Sequence, residues 1–186
     1  MSKGKLFVIS GASGVGKSTV LSRVMAQRKD LCFSVSATTR PPRPGEVDGV
    51  HYYFLTREQF QSMIDGDEFV EYDAHAANFY GTPRQQLEEK MARGHVILDI
   101  EPAGAKIVKE KRPDATLIFI MPPSQSELER RLRGRGDTDA HQISLRLDRA
   151  KWEMEQRLWY DYQVVNDNVE RCAESILNII AHVAEE

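Results

Sequence analysis

A three-layer α/β fold, with a parallel sheet between helices and a small, mostly antiparallel β insertion, is what the 186-residue sequence predicts. Three observations carry the prediction. Apolar strand-like runs at 5–10, 96–100, 116–121 and 162–165 alternate with helical patterns at 17–28, 102–112, 124–134, 139–159 and 170–185. Strand alternating with helix implies a parallel sheet covered on both faces. The first run and the first helix are joined by Gly11-Ala12-Ser13-Gly14-Val15-Gly16-Lys17-Ser18, a full match to G-x-x-x-x-G-K-[ST]. Residues 34–82 then break the rhythm with short β-prone pieces and a proline-stiffened segment.

Taken in order, Leu6-Phe7-Val8-Ile9 has no polar face, as a buried parallel strand requires. The glycines after it let successive backbone N–H groups turn toward one anion, and the helix that follows presents its positive end to the same point. Lys17 adds a full charge for the outer phosphates of a nucleotide, Ser18 an oxygen for Mg²⁺, and Thr19 completes the loop. Val20, Leu21 and Val24 give the helix one apolar side. The insertion holds β-prone pieces at Phe33–Ser36, Tyr52–Leu55, Phe69–Tyr72 and Phe79–Tyr80, with one short helix near Arg57–Ile64. A second break, Arg133-Gly134-Arg135-Gly136-Asp137, is a glycine-hinged polar connection. In the helix after it Ile143, Leu147, Ala150 and Met154 form one packing stripe. These breaks divide a single domain into a core (1–33, 83–125 and 160–186), an insertion (34–82) and a helical lid (about 126–159).

Composition excludes several classes. Hydrophobic content of 41% and charged content of 28% suit a soluble globular protein. A net charge of −3 argues against a nucleic-acid binder, although basic residues cluster at 40–43 and 130–135. Cys32 and Cys172 have no metal spacing and read as reduced thiols. No signal-peptide region and no run long enough to span a bilayer appears, so a cytoplasmic location without membrane partners is expected. The five histidines suggest neither a metal site nor a general base, and His51, His75 and His95 are expected to be solvated. Self-association as a homo-oligomer is left open.

The glycine loop alone fits a GTPase, an ATPase, a kinase or a transporter. The insertion narrows these. Arg40 and Arg43, three apart in the segment around Pro41-Pro42 and Pro44-Gly45, can present two guanidinium forks to one phosphate. Tyr52 and Tyr80 add hydroxyl donors suited to the same dianion. This is hardware for a second phosphate, distinct from the one in the loop.

The run Val35–Glu46 (VSATTRPPRPGE) resembles the signature segment of guanylate kinases. So do Gly49-Val50-His51-Tyr52-Tyr53-Phe54, Glu68-Phe69-Val70-Glu71 and Asn78-Phe79-Tyr80-Gly81-Thr82. Ile97-Leu98-Asp99-Ile100, the arginine run 130–136 and Val164-Val165-Asn166-Asp167 are similar to later blocks of the family. The resemblance implies a P-loop NTPase core with an inserted GMP-binding subdomain and a mobile lid. The implied reaction is ATP + GMP = ADP + GDP with Mg²⁺, and the implied partners are those two nucleotides. It assigns the donor nucleotide to residues 11–19 with Arg135 and Asn166. It assigns the GMP phosphate to Arg40, Arg43, Tyr52 and Tyr80, and the base to Ser36, Glu71 and Thr82. Guanine offers a ring N–H beside an amino group, two donors that an ionised carboxylate such as Glu71 accepts together. The guanine O6 wants a donor, which the hydroxyl of Ser36 or Thr82 supplies.

Phosphoryl transfer asks for alignment, charge neutralisation and exclusion of water, and no general base, because the GMP phosphate is already anionic. Lys17 holds the donor, and Arg131, Arg135 and Arg146 are the lid candidates for charge on the transferring group. Asp99, at the end of an apolar strand, either orients a Mg²⁺-bound water or touches the guanine amino group, and both roles stay open. The sequence departs from the family at three places: Glu101 in place of Asp, Pro102-Ala103-Gly104 in place of an aromatic or Met followed by Gln and Gly, and Ala77-Asn78-Phe79 in place of Gly-Asn-Tyr. Two rivals share parts of the pattern. A ribose 1,5-bisphosphate kinase needs no guanine reader, and a guanylate-kinase-like interaction module of a membrane scaffold carries a damaged P-loop.

Overall fold

The computed structural model describes residues 4–75, 77–133 and 140–185. Five strands form one parallel sheet: β1 (Leu6–Gly11), β2 (Leu31–Phe33), β7 (His95–Asp99), β8 (Thr116–Met121) and β9 (Tyr162–Val165), in the order β2-β7-β1-β8-β9. β1 lies at the centre, between β7 and β8, which is why all four of its apolar side chains are buried. The two-residue period of the strand sends them to opposite faces. Phe7 and Ile9 enter the cluster under α1 (Lys17–Gln27) and α7 (Val169–Glu185), with Val20, Leu21, Ile176 and Ile180. Leu6 and Val8 enter the cluster under α3 (Arg84–Met91) and α4 (Pro102–Lys111), with Leu87, Met91, Ala105 and Val108. Two buried clusters on the two sides of one sheet make the three layers.

The remaining strands, β3 (Ala37–Thr38), β4 (Tyr53–Phe54), β5 (Phe69–His75) and β6 (Asn78–Pro83), form a second sheet in the order β4-β3-β6-β5. β3 and β4 run parallel, and the other pairs are antiparallel. α2 (Arg57–Asp65) covers this sheet. Thr56 caps it, accepting from the Gln59 N–H while the Gln59 side chain accepts from the Thr56 N–H. Phe60 of α2 stacks on Phe69 and Phe79, with ring centroids 4.5 and 5.5 Å apart.

α5 (Gln125–Arg133) and α6 (Ala140–Gln156) follow β8. From the expected stripe Ala150 is buried, and Leu147 and Met154 pack against it with Leu128 and Leu132 of α5 and Ala12 of the glycine loop. The helix thus rests on the loop. The side chain of Ile143 lies outside the described residues, as do residues 134–139, which include all of the expected hinge but Arg133.

Two elements depart from the sequence expectation. α3 carries only two buried apolar residues, Leu87 and Met91, too few to stand out as a periodic stripe. The β-prone piece expected at Phe33–Ser36 in the insertion is instead the strand Leu31–Phe33, inside the expected core, where Leu31, Cys32 and Phe33 pair with His95, Val96 and Ile97 and edge the core sheet. His95 is also not solvated. It begins β7, accepts the Lys5 N–H at 3.0 Å through Nδ1 and lies edge-on to Phe7, and burial lowers its pKa. Cys172 is buried and Cys32 half-buried, both as free thiols.

Candidate active site

The turn from β1 into α1 is made by Gly14 and Gly16, whose φ angles of 84° and 90° lie in the left-handed region where a side chain is disfavoured. Gly16 is the N-cap of α1, no side chain caps it, and the first turn carries no acidic residue. The first N–H groups of the helix are therefore available to an anion. The loop is held from outside. The Asn166 amide donates to the Val15 carbonyl at 2.8 Å, and Arg131 donates to the same oxygen at 3.0 Å while its Nε binds Glu127. Lys17, at the start of α1, forms an ion pair with Asp99 at the end of β7. β1, which leads into the loop, and β7 are neighbours in register, with Ile9 beside Asp99, so the sheet brings lysine and carboxylate together.

Lys17 and Asp99 form one wall of a cleft of about 360 Å³, and the second sheet forms the other. Ser36, Tyr52, Glu71 and Tyr80 line it there. Glu71 of β5 stands opposite Thr82 of β6, and the Thr82 hydroxyl donates to Glu71 Oε1 at 2.6 Å. Glu71 is only 5% exposed. Burial pushes its pKa up to about 7, the Thr82 bond opposing this and the nearby Asp73 adding to it. Gly104 of α4 makes room for the carboxylate: a Cβ there would lie 2.9 Å from Glu71 Oε2. Tyr52 and Tyr80 meet edge to face at 6.1 Å.

Three expected residues stand differently. Thr82 is fully buried and does not line the cleft, because its hydroxyl is spent on Glu71. Arg40 lies over the rings of Tyr52 and Phe54, at 5.5 and 5.8 Å, and its guanidinium binds Glu46 at 2.8 Å. Arg43 is exposed, with its main-chain N–H on the other oxygen of Glu46. The Arg40 guanidinium and the Arg43 amide together hold the Glu46 carboxyl at a pKa of about 2. Both arginines therefore stand around Glu46, and Arg40 adjoins the cleft through Tyr52, which lines it.

On the opposite side of the loop, Gly16, Thr19, Arg130, Arg131, Asn166 and Asp167 line a second crevice of about 450 Å³. Ser18 faces a third, which it shares with Asp99, and lies in the loop crevice beside Lys17. Arg146 is on the exposed face of α6 and lines none of these crevices. Arg135 lies outside the described residues.

Sequence reasoning missed Glu153, Arg149 and Asp73. Glu153 of α6, 2% exposed, accepts the Ser13 N–H at 2.7 Å and the Ser13 hydroxyl at 3.2 Å. Arg149, one turn earlier, binds Glu153 at 3.1 Å and also Glu101. The four-residue spacing of Arg149 and Glu153 was the available signal. Asp73, two residues from Glu71 along β5, lines the same cleft.

No helix among the described residues is long and apolar enough to cross a membrane. The guanylate kinase of Synechococcus sp. (strain JA-3-3Ab) is 48% identical over 175 residues, covering 94% of this chain and 81% of that protein. That of Trichodesmium erythraeum (strain IMS101) is 46% identical over 186 residues, the full length of both. The crystal structure of guanylate kinase from Anaplasma phagocytophilum superposes with a TM-score of 0.78 at 34% identity, over 100% of this chain and 88% of that one. The guanylate kinase family model matches residues 3–183, and with a glycine loop and a buried carboxylate facing one cleft the chain belongs to that family.

Proposed function

We propose that the protein transfers the γ-phosphoryl group of ATP to GMP, giving ADP and GDP, with Mg²⁺ as the ion that accompanies the donor. The observation that carries this is the single cleft in which Lys17 of the phosphate loop faces the buried Glu71. One end suits a polyphosphate and the other a base with two adjacent donors. A phosphate oxygen of GMP forms the new bond to the γ-phosphorus, the bond to the β–γ bridging oxygen breaks, and ADP leaves with that electron pair.

Within this reading, residues 11–19 and the crevice at Arg131 and Asn166 take ATP. Ser36 and Glu71 read guanine, with Thr82 holding Glu71. Arg40, Arg43, Tyr52 and Tyr80 take the GMP phosphate, and substrate entry moves Arg40 from Glu46 to that phosphate. We assign residues 34–82 to the acceptor subdomain and about 126–159 to the lid, whose Arg131, Arg135 and Arg146 approach the transferring group as it closes. Ser18 would supply an oxygen ligand of the kind a hard cation prefers, and Asp99 would either reach the ion through a bound water or touch the guanine amino group. Among the described residues no group of three or more His, Cys, Asp and Glu forms a dedicated metal cage, which suits an ion that keeps most of its waters. When bound, Mg²⁺ neutralises charge on the outer phosphates of the donor. The free thiols fit a reducing cytoplasm.

The test is a coupled assay with ATP and a panel of nucleoside monophosphates. GMP should be phosphorylated far faster than AMP, CMP or UMP; equal rates would refute the base assignment.

A further inference from the structure

The crevice at the phosphate loop is lined by three carboxylates, Asp99, Glu101 and Glu153, and must admit a polyanion. Lys17 balances Asp99. The other two depend on one side chain. Arg149 projects from α6 with Nε on Glu153 at 3.1 Å and a terminal nitrogen on Glu101. Glu153 is in turn fixed on the main-chain N–H of Ser13 in the loop. Glu101 lies in the connection between β7 and α4 and lines the acceptor cleft as well as the loop crevice. Its backbone belongs to the segment that positions the cleft: the Ser10 hydroxyl donates to the Ile100 carbonyl at 2.7 Å, and Gly104, three residues on, underlies Glu71. Arg149 itself lines neither crevice. It reaches both crevices through the carboxylates it holds.

We propose that Arg149 is a positioning residue that ties α6 to the acceptor side through Glu101 and to the donor loop through Glu153, and that its charge keeps Glu101 from repelling incoming phosphates. The proposal rests on the GMP kinase reading for its kinetic readout. An unpaired Glu101 at the junction of the two sites opposes the approach of both nucleotides, whereas a paired one is neutral toward them. The length of glutamate is what allows Glu101 to reach a partner on α6.

The test compares the full-length wild type with Arg149→Gln, Arg149→Lys, Glu101→Gln and the double variant Arg149→Gln/Glu101→Gln in steady-state assays with ATP and GMP. Arg149→Gln should raise KM for GMP and lower kcat, together costing about tenfold in kcat/KM. Arg149→Lys should keep most of the activity. Adding Glu101→Gln to Arg149→Gln should recover at least half of the loss, because the repelling charge is gone. A purely structural role predicts instead that the double variant is worse than either single one, and that result, or wild-type kinetics for Arg149→Gln, overturns the proposal. Hydrogen exchange of the ligand-free proteins gives a readout independent of activity. Amides of residues 100–104 should exchange about tenfold faster in Arg149→Gln than in wild type, and unchanged exchange there overturns the coupling. Should Arg149→Gln fail to fold, Arg149→Lys and Glu101→Gln carry the same exchange comparison. Wild-type protein that ignores GMP would refute the kinase reading while leaving the exchange test standing.

Discussion

The Thr82 hydroxyl donates to Glu71 at 2.6 Å across two paired strands, and both side chains are shut away from solvent while Glu71 Oε2 points toward Gly104. A carboxylate held this way has one oxygen committed and little freedom to turn, which is what recognition of a planar pair of donors needs. Glu71→Gln keeps the shape but replaces one acceptor with a donor. KM for GMP should rise about 10- to 100-fold, corresponding to roughly 1–3 kcal/mol for a lost bidentate pair. KM for ATP should stay within about twofold of wild type, since the loop is untouched. Equal rises for both nucleotides would remove Glu71 from base reading.

The raised pKa of Glu71, about 7 against the ordinary glutamate value of 4.5, makes acceptor binding sensitive to pH. Only the ionised form accepts both guanine donors. Affinity for GMP should therefore fall as pH drops below about 7, by close to tenfold per unit once the group is protonated. The stability effect has the opposite sense. The folded state binds the proton more tightly than the unfolded state, so the stabilisation is complete below the unfolded pKa. It is lost as pH rises through the folded pKa. Unfolding free energy should decline between about pH 4.5 and 7, on the order of 3 kcal/mol for this group, and flatten above that. Glu71→Gln should abolish both dependences, measured as GMP affinity by calorimetry and as urea midpoints across the same range.

What was legible in the sequence follows from how far apart the interacting groups are. β1, β7 and β8 showed themselves because burial on both faces leaves almost no polar position inside them, and the edge strand β9 through its apolar Val164-Val165. β3 and β4 are two residues long, and their side chains are placed by Phe60 and by the neighbouring β6 rather than by any local pattern. Lys17, Ser36, Tyr52, Glu71, Tyr80 and Asp99 do converge on one cleft. The partners of the cations were not legible, because each pair joins residues that only the sheet or α6 brings together: Lys17 with Asp99, Arg149 with Glu101. Thr82 illustrates the same limit. Its hydroxyl type was readable, but whether it faces guanine or Glu71 is decided by the register of β5 against β6.

The departure at 77–79 has a backbone consequence. Ala77 sits between the paired His75 and Asn78 with a φ of 67°, a conformation that glycine adopts freely and alanine at a cost of roughly 1–2 kcal/mol. Glycine loses about 0.5–1 kcal/mol through its greater freedom in the unfolded chain. Ala77→Gly should therefore stabilise the protein by up to about 1 kcal/mol. The neighbouring Phe79 is not strained; it stacks on Phe60. Chemical denaturation measures the difference, and a clear loss of stability would show that the loop does not hold this conformation.

Gly104 gives a way to disturb the acceptor site from below without touching a polar residue. A methyl group at that position would lie 2.9 Å from Glu71 Oε2 and 3.4 Å from its carboxyl carbon. Because Oε1 is tied to Thr82, the carboxylate cannot swing away without breaking that bond, and α4 cannot retreat without opening its packing at Ala105 and Val108. Gly104→Ala also raises intrinsic helix propensity by roughly 1 kcal/mol, so the helix itself should not melt. The expected outcome is a rise of about tenfold or more in KM for GMP, with KM for ATP and the thermal midpoint nearly unchanged. Wild-type GMP kinetics in Gly104→Ala would mean that Glu71 can move freely, and a pocket that loose could not discriminate guanine by a fixed carboxylate.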